Sequence, residues 1–156
     1  MTDRTSKASI RPIVPADLEG VIDLDRLTTG QSRRGFFEKR LDAAAREPGA
    51  FLSLGAAVDG SLVGFAFAYV LDGEFGGVAP VAVLDAVNVH PDAQGRGVGR
   101  QLMTALTQAL RGRGVRELQT QADWTQYDIV HFFGAAGFTL APRLVLERQT
   151  TASADF

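Results

Sequence analysis

The 156-residue chain contains no cysteine, which excludes disulfides, thiolate nucleophiles and cysteine-based zinc sites. Histidine is nearly as scarce: His90 and His131 are the only two, and the expectation is that no metal is bound. Neither sign of charge dominates, with a formal net charge of -2, and aromatic residues make up only 8% of the chain. Such a surface has no electrostatic footprint for nucleic acid. No apolar run approaches the ~20 residues that a membrane-spanning helix requires. The first residues, "MTDRTSKAS", lack the apolar centre of a secretory signal. The chain is therefore expected in the cytoplasm, with neither nucleic acid nor membrane as a partner.

What is present suits a folded enzyme-sized domain. Apolar residues at 46% and charged residues at 22% are typical of a globular protein, and the length fits one core. We expect one domain over residues 9–148, with residues 1–8 and 149–156 flexible. "SIRPIV" (Ser9 to Val14) reads as a strand and "PADLEGVIDLDRL" (Pro15 to Leu27) as a helix with proline in its first turn. Leu18, Val21, Ile22 and Leu24 form the inner face of that helix. A second helix spans Ser32 to Glu47, with Ser32 as its N-cap. Two strands flank Asp59-Gly60, a pairing that signals a two-residue hairpin turn. Val63, Phe65, Phe67, Tyr69 and Leu71 alternate onto one face of the second.

"VAVLDAVNV" (Val81 to Val89) is apolar on both faces and reads as a central strand. After a glycine-rich loop, Val98, Leu102, Met103, Leu106, Ala109 and Leu110 recur at helical spacing. A strand over Val115 to Ala122, a short helix in "YDIVHFFGAAGF" and a last strand in "RLVLERQ" complete the pattern. The order β-α-α-β-β-β-α-β-α-β predicts an α/β (α+β) fold, a mixed and mostly antiparallel sheet with helices on both faces.

The loop "PDAQGRGVGRQ" carries the chemistry. Gly95, Gly97 and Gly99 strip side chains from the point where a strand turns into a helix, so that amide N–H groups can face outward together. The helix start adds unpartnered N–H groups and partial positive charge, worth ~0.3–1 kcal/mol per favourably placed anion. A phosphate suits such a place, with Arg96 and Arg100 on its rim. A plain tight turn is the competing reading. A P-loop is excluded because "GVGRQ" has neither the lysine nor the hydroxyl that such a loop needs. A dinucleotide fingerprint fits poorly, since the spacing is G-x-G-x-G and "HPDAQ" separates it from the strand.

"VNVHPDAQGRGVGRQLM" resembles the acetyl-CoA-binding motif of the GNAT superfamily of N-acetyltransferases. Its Gln/Arg-x-x-Gly-x-Gly/Ala signature is met by Gln94, Gly97 and Gly99, and "HFFGAAGF" resembles the family's later helix ending in Gly-Phe. The resemblance implies acetyl-CoA as cosubstrate, with its pyrophosphate on the amides of Gln94, Gly95, Arg96, Gly97, Val98, Gly99 and Arg100. It implies that the pantetheine arm pairs with the backbone of Val87, Asn88 and Val89, and that Phe132 and Phe133 flank the thioester. It also implies a primary amine of a small molecule or peptide as acceptor, attacking the thioester directly, and a homodimer, since many relatives pair. The family often has a tyrosine general acid where this chain has Phe133. That departure motivates a rival reading as a non-catalytic acyl-CoA-binding sensor.

Among the remaining candidates, Asp85 stands on the central strand together with Val81, Val83, Val87 and Val89, where an unpaired charge is costly. It could bind the acceptor amine or relay its proton, or else be a structural carboxylate paired with an arginine. Tyr69 is a second catalytic candidate, with core packing as the alternative. Glu74 in "DGEFGG" and the pair Arg33-Arg34 are candidate acceptor contacts, against the simpler reading of solvated charges. His90 is read as supporting the glycine loop.

Overall fold

The computed structural model describes residues 7–151, and the chain divides at Gln121/Ala122 into two compact units. The expected flexible ends, 1–8 and 149–156, fall mostly on residues 1–6 and 152–156, outside the described range.

The first unit is built on a five-stranded sheet in sequential order: β1 (Ser9–Pro12), β2 (Phe51–Val58), β3 (Ser61–Asp72), β4 (Pro80–Val89) and β5 (Leu118–Gln119). The first three pairings are antiparallel and β4–β5 is parallel. The β2–β3 hairpin turns at Asp59 (φ 51°) and Gly60 (φ 81°), the two left-handed residues that match the twist of the strands. A single 3-10 turn at Pro15–Asp17 leads into α1 (Leu18–Thr29). Arg11 grips both oxygens of Asp17 at 2.8 and 2.9 Å, and Asp17 accepts the Val14 N–H, which ties β1 to the helix start. Next come α2 (Arg34–Arg46) and, after β4, α3 (Val98–Gly112). Ser32 does not cap α2: the N-cap position is Arg33, with no side-chain cap bond, because Arg33 is engaged elsewhere.

Alternation on β3 sorts the helices onto opposite faces. Phe65 and Phe67 pack with Phe37 of α2 and with Val21, Ile22 and Leu24 of α1. Their rings meet edge-on or tilted at 5.3–5.5 Å, and each buried phenylalanine contributes about 1.5–3 kcal/mol. The intervening Gly64 faces α3, where a Cβ would meet Leu102 at 3.2 Å and Val98 at 3.3 Å. Val98, Leu102, Met103, Leu106 and Leu110 bury the inner stripe of α3, as their spacing predicts.

β4 is not regular. Phe67 pairs with Ala86 but Ala68 with Leu84, so Asp85 is the extra residue of a β-bulge. The bulge corrects the expected face. Val81, Val83, Ala86 and Asn88 share the face of Tyr69, Phe67 and Phe65, whereas Val87 and Val89 pair with Ala66 and Gly64 and lie on the α3 side. A bulge bends its strand, and pairing to β5 stops at Ala82 and Val83. The strand expected over Val115–Ala122 is accordingly reduced to Leu118–Gln119.

The second unit holds α4 (Tyr127–Ala135), within the expected helix, with Phe133 buried against Phe132 and Phe138. The last strand expected in "RLVLERQ" does not form. A strand needs a hydrogen-bonded neighbour, and among the described residues nothing pairs with this segment as a ladder. Leu144 and Leu146 stand exposed there.

Candidate functional site

Two features of the first unit converge on β4, one built from backbone and one from side chains. The first begins where the strand ends. His90 donates its N–H to Val63 O at 2.7 Å, which fixes the alternation of the ladder. Asn88 therefore turns its backbone toward Phe65 of β3, and Val87 and Val89 turn theirs to the opposite edge. β5 does not reach that edge. Among the described residues its only partners there are side chains: Thr120 Oγ1 donates to Leu84 O at 2.8 Å and Gln94 Nε2 to Val89 O at 3.1 Å. Asn88 departs from its expected role, since its backbone lies in the β3 ladder and its side chain donates to Asp25.

A 3-10 turn at Pro91–Ala93 follows, and the His90 ring caps it by accepting the Asp92 N–H at 3.0 Å. His90 thus supports the loop, as its position implied. Gly95 and Gly97 then adopt left-handed backbone at φ 77° and 80°, conformations that side chains resist. Gly97 is the N-cap of α3, whereas Gly99 already lies in the helix and is buried. The consequence is a run of six N–H groups, Gly95 through Arg100, with no acceptor among the described residues, whereas the Gln94 N–H, expected among them, donates to His90 O at 3.1 Å; the first intrahelical bond is that of Gln101 to Gly97 O at 2.9 Å. A Cβ at Gly95 or Gly97 would meet nothing within 4 Å, so the left-handed backbone, not crowding, is what favours glycine there. Amides grouped in this way at a helix N-terminus are of the kind that suits an anion.

The second feature lies on the α1–α2 face. The bulge aims Asp85 at α2, where Arg40 Nε donates to its Oδ2 at 2.6 Å. Its other oxygen, Oδ1, is buried and has no hydrogen-bond partner. Burial pushes the Asp85 carboxyl above its ordinary value, against the pull of Arg40 and, more weakly, of Arg33. Such a carboxyl is a candidate to take a proton. The Arg40 guanidinium lies 5.0 Å from the ring centres of both Phe36 and Tyr69. Tyr69 is thus half-buried beneath Arg40 and beside Phe51.

A neighbouring pair completes the face. Asp25 of α1 is fully buried, held by the Arg33 fork, with Nε at 3.0 Å, and by Asn88 Nδ2 at 3.0 Å. Arg34 is bound to Glu19 at 2.8 and 2.9 Å. Both arginines offered as acceptor contacts therefore have carboxylate partners inside the chain. Glu74 lies in an exposed 3-10 turn, Glu74–Gly76, and touches none of these groups. Sequence reasoning missed Asp25 and Arg40. The available signal was a charge on an apolar stripe: Asp25 follows Val21 and Ile22 by four and three residues, and Arg40 follows Phe36 and Phe37 likewise.

No group of three or more metal-ligating side chains occurs among the described residues, and no helix there is long and apolar enough to cross a membrane.

Residues 19–138 match the Acetyltransferase (GNAT) family. An aminoglycoside N(6')-acetyltransferase type 1 from Stenotrophomonas maltophilia is 32% identical over 146 residues, 92% of this chain and 94% of that protein. The structure of AAC(6')-Iy with a bisubstrate analogue of coenzyme A is 26% identical, with a TM-score of 0.73 over 92% of this chain and 99% of that one. An aminoglycoside acetyltransferase from an uncultured soil sample has the same fold at 21% identity, with a TM-score of 0.75 over 96% of this chain and all of its own. The chain belongs to the GNAT acetyltransferase family and is an acetyl-CoA-dependent N-acetyltransferase, an enzyme that moves an acetyl group to an amine.

Proposed function

We propose that the acetyl donor lies along β4 and that Asp85 serves the acceptor amine. The six free amides of Gly95, Arg96, Gly97, Val98, Gly99 and Arg100 carry this reading. They suit a pyrophosphate, which presents several oxygens to several donors at once. The open β4 edge at Val87 and Val89 suits the amide-bearing pantetheine arm, which would continue the sheet as an added strand. Acetyl-CoA supplies an activated acyl group on a thiol, whose ordinary pKa near 8.5 makes it a tolerable leaving group even with Phe133 in place of a tyrosine.

The remaining chemistry belongs to the chain. An amine attacks only when neutral, so a proton must leave the ammonium. Asp85 Oδ1, buried and unpartnered, is the acceptor for that proton, while Arg40 on Oδ2 fixes the carboxylate's orientation. The half-buried Tyr69 ring is a platform for Arg40 in this account, not an acid. The acceptor is a small-molecule amine, as in the aminoglycoside acetyltransferases that the chain resembles.

The test is ligand protection. Acetyl-CoA at a hundredfold its dissociation constant should stabilise the chain by about 2.7 kcal/mol, a rise of roughly 5–10 °C in melting temperature for a protein of this size. NAD and ATP should give much less. Equal or greater protection by either nucleotide would overturn the assignment of the cradle.

A further inference from the structure

Arg40 has more bonding capacity than its partner uses. Only Nε contacts Asp85; among the described residues neither terminal nitrogen of the guanidinium has an acceptor, although 70% of the side chain is covered. The rings of Phe36 and Tyr69, both 5.0 Å away, set the position of the guanidinium. What remains is a fork of N–H donors held over two aromatic rings, the geometry that arginine offers to a carboxylate. Directly beside it is the Asp85 carboxylate, whose Oδ1 is buried and has no hydrogen-bond partner. An acceptor for one cation and a fork for one anion thus sit on a single ion pair.

The rest of the face has no surplus of negative charge. Every carboxylate of α1 and α2 lies within 4.0 Å of an arginine: Glu19 and Glu38 by Arg34, Asp23 by Arg26, Asp25 by Arg33, and Asp42 by Arg46. Each negative charge on these helices thus has a positive one beside it, and the face carries no block of unbalanced carboxylates for a polycation.

We infer that the acceptor is a small zwitterionic amine, carrying a carboxylate one or two carbons from its amino group. The carboxylate binds the free fork of Arg40 and the amine meets the carboxylate of Asp85. The spacing follows from the direct contact between the two side chains, which leaves a few ångströms between the cationic and anionic subsites. This inference rests on the reading of Asp85 as the amine-side group, and it assigns to this chain a substrate class different from that of its aminoglycoside-acetylating relatives. Arg40 is a specificity residue in this scheme.

The experiment compares free-thiol release from acetyl-CoA for matched acceptors: a set of α- and β-amino acids, the amines formed by removing their carboxylates, short peptides, and an aminoglycoside. The wild-type enzyme should prefer the amino acid over its decarboxylated partner by about 10–100-fold in kcat/KM, the usual weight of a charge-assisted contact. In Arg40→Gln and Arg40→Lys that ratio should fall toward one, mainly through KM for the amino acid. Because the ratio is internal to each variant, partial loss of folded protein does not disturb it. A wild-type ratio near one, a better rate with the aminoglycoside or with peptides, or a ratio unchanged in Arg40→Gln would each overturn the inference, as would release with no acceptor of the set. Failure of the cofactor assignment is read separately, from acetyl-CoA protection.

Discussion

The C-terminal exit of β4 and the bulge in its middle are built by opposite means. At its C-terminal end the loop from Gly95 to Arg100 is a run of backbone amides, with the side chains of Arg96 and Arg100 at its rim, and its glycines matter for what they omit. At the bulge, Asp85 and its surroundings are side-chain chemistry, with an arginine and two aromatic rings drawn from α2 and β3. Backbone amides are common to all residues, so the first end suits a donor used throughout a family. Side chains differ between relatives, and the second end is where this chain can differ in what it acetylates.

That contrast makes Asp85→Asn the sharpest break. The amide keeps the size of the side chain but cannot take a proton, and kcat should fall about 10²–10⁴-fold, the usual contribution of a general base. KM for acetyl-CoA should stay near wild type, because the cradle is untouched. In the wild type the acid limb of kcat/KM should lie above the ordinary carboxylate range, as the raised Asp85 requires, and it should vanish in the variant. The stability sign is also fixed. The folded state holds the Asp85 proton more tightly than the unfolded chain does, so this group favours folding less as pH rises from the ordinary aspartate value through its raised one. Asp17 acts in the opposite sense: the Arg11 hydrogen bonds lower it, and its contribution is lost as pH falls through that lowered value. An unchanged kcat in Asp85→Asn would remove the carboxylate from catalysis.

Asp25→Ala asks whether the side-chain end is also structural. Asp25 is fully buried, and its removal strands Arg33 and Asn88 without their partner. Breaking a buried pair in this way costs about 3–5 kcal/mol, on the order of 10 °C in melting temperature by scanning calorimetry. A smaller drop, under about 3 °C, would mean that the pair is solvated.

At the backbone end the corresponding change is Gly97→Val. A β-branched residue at φ 80° carries roughly 1–3 kcal/mol of strain, and relief of that strain turns the amides away from a common focus. KM for acetyl-CoA should rise about 10–100-fold while kcat at saturation stays within a few-fold, the reverse of the Asp85→Asn pattern. Equal loss of both parameters would show that the two ends are not separable.

The same contrast governs how much the sequence reveals. Elements fixed by local chemistry were legible: the Asp59-Gly60 hairpin, the apolar stripe of α3, and the glycine loop with Gln94, whose meaning depends on a dozen consecutive residues. The side-chain end was legible only as an isolated oddity, an aspartate in an apolar strand. Its partners lie 45 residues away in Arg40, and Asn88 finds Asp25 across 63. The bulge hid the rest, because one inserted residue reverses the faces of everything after it, and strict alternation placed Val87 and Val89 beside Asp85 when they face α3. The segment from Arg143 to Gln149 misleads in the other direction, having the composition of a strand but joining no ladder among the described residues.

The smallest expected effect concerns the adjacent arginines. Arg33 and Arg34 are identical in type and each is held by one carboxylate through several hydrogen bonds, yet Arg33 meets a fully buried Asp25 and Arg34 meets an exposed Glu19. In water such a pair gains little, since solvent screens the attraction and two long side chains lose freedom in forming it. Arg34→Ala should therefore leave both the melting temperature and the acceptor KM indistinguishable from wild type. A rise in acceptor KM with stability unchanged would instead make Arg34 a substrate contact, and the division between a screened outer pair and a structural inner one would have to be redrawn around the acceptor.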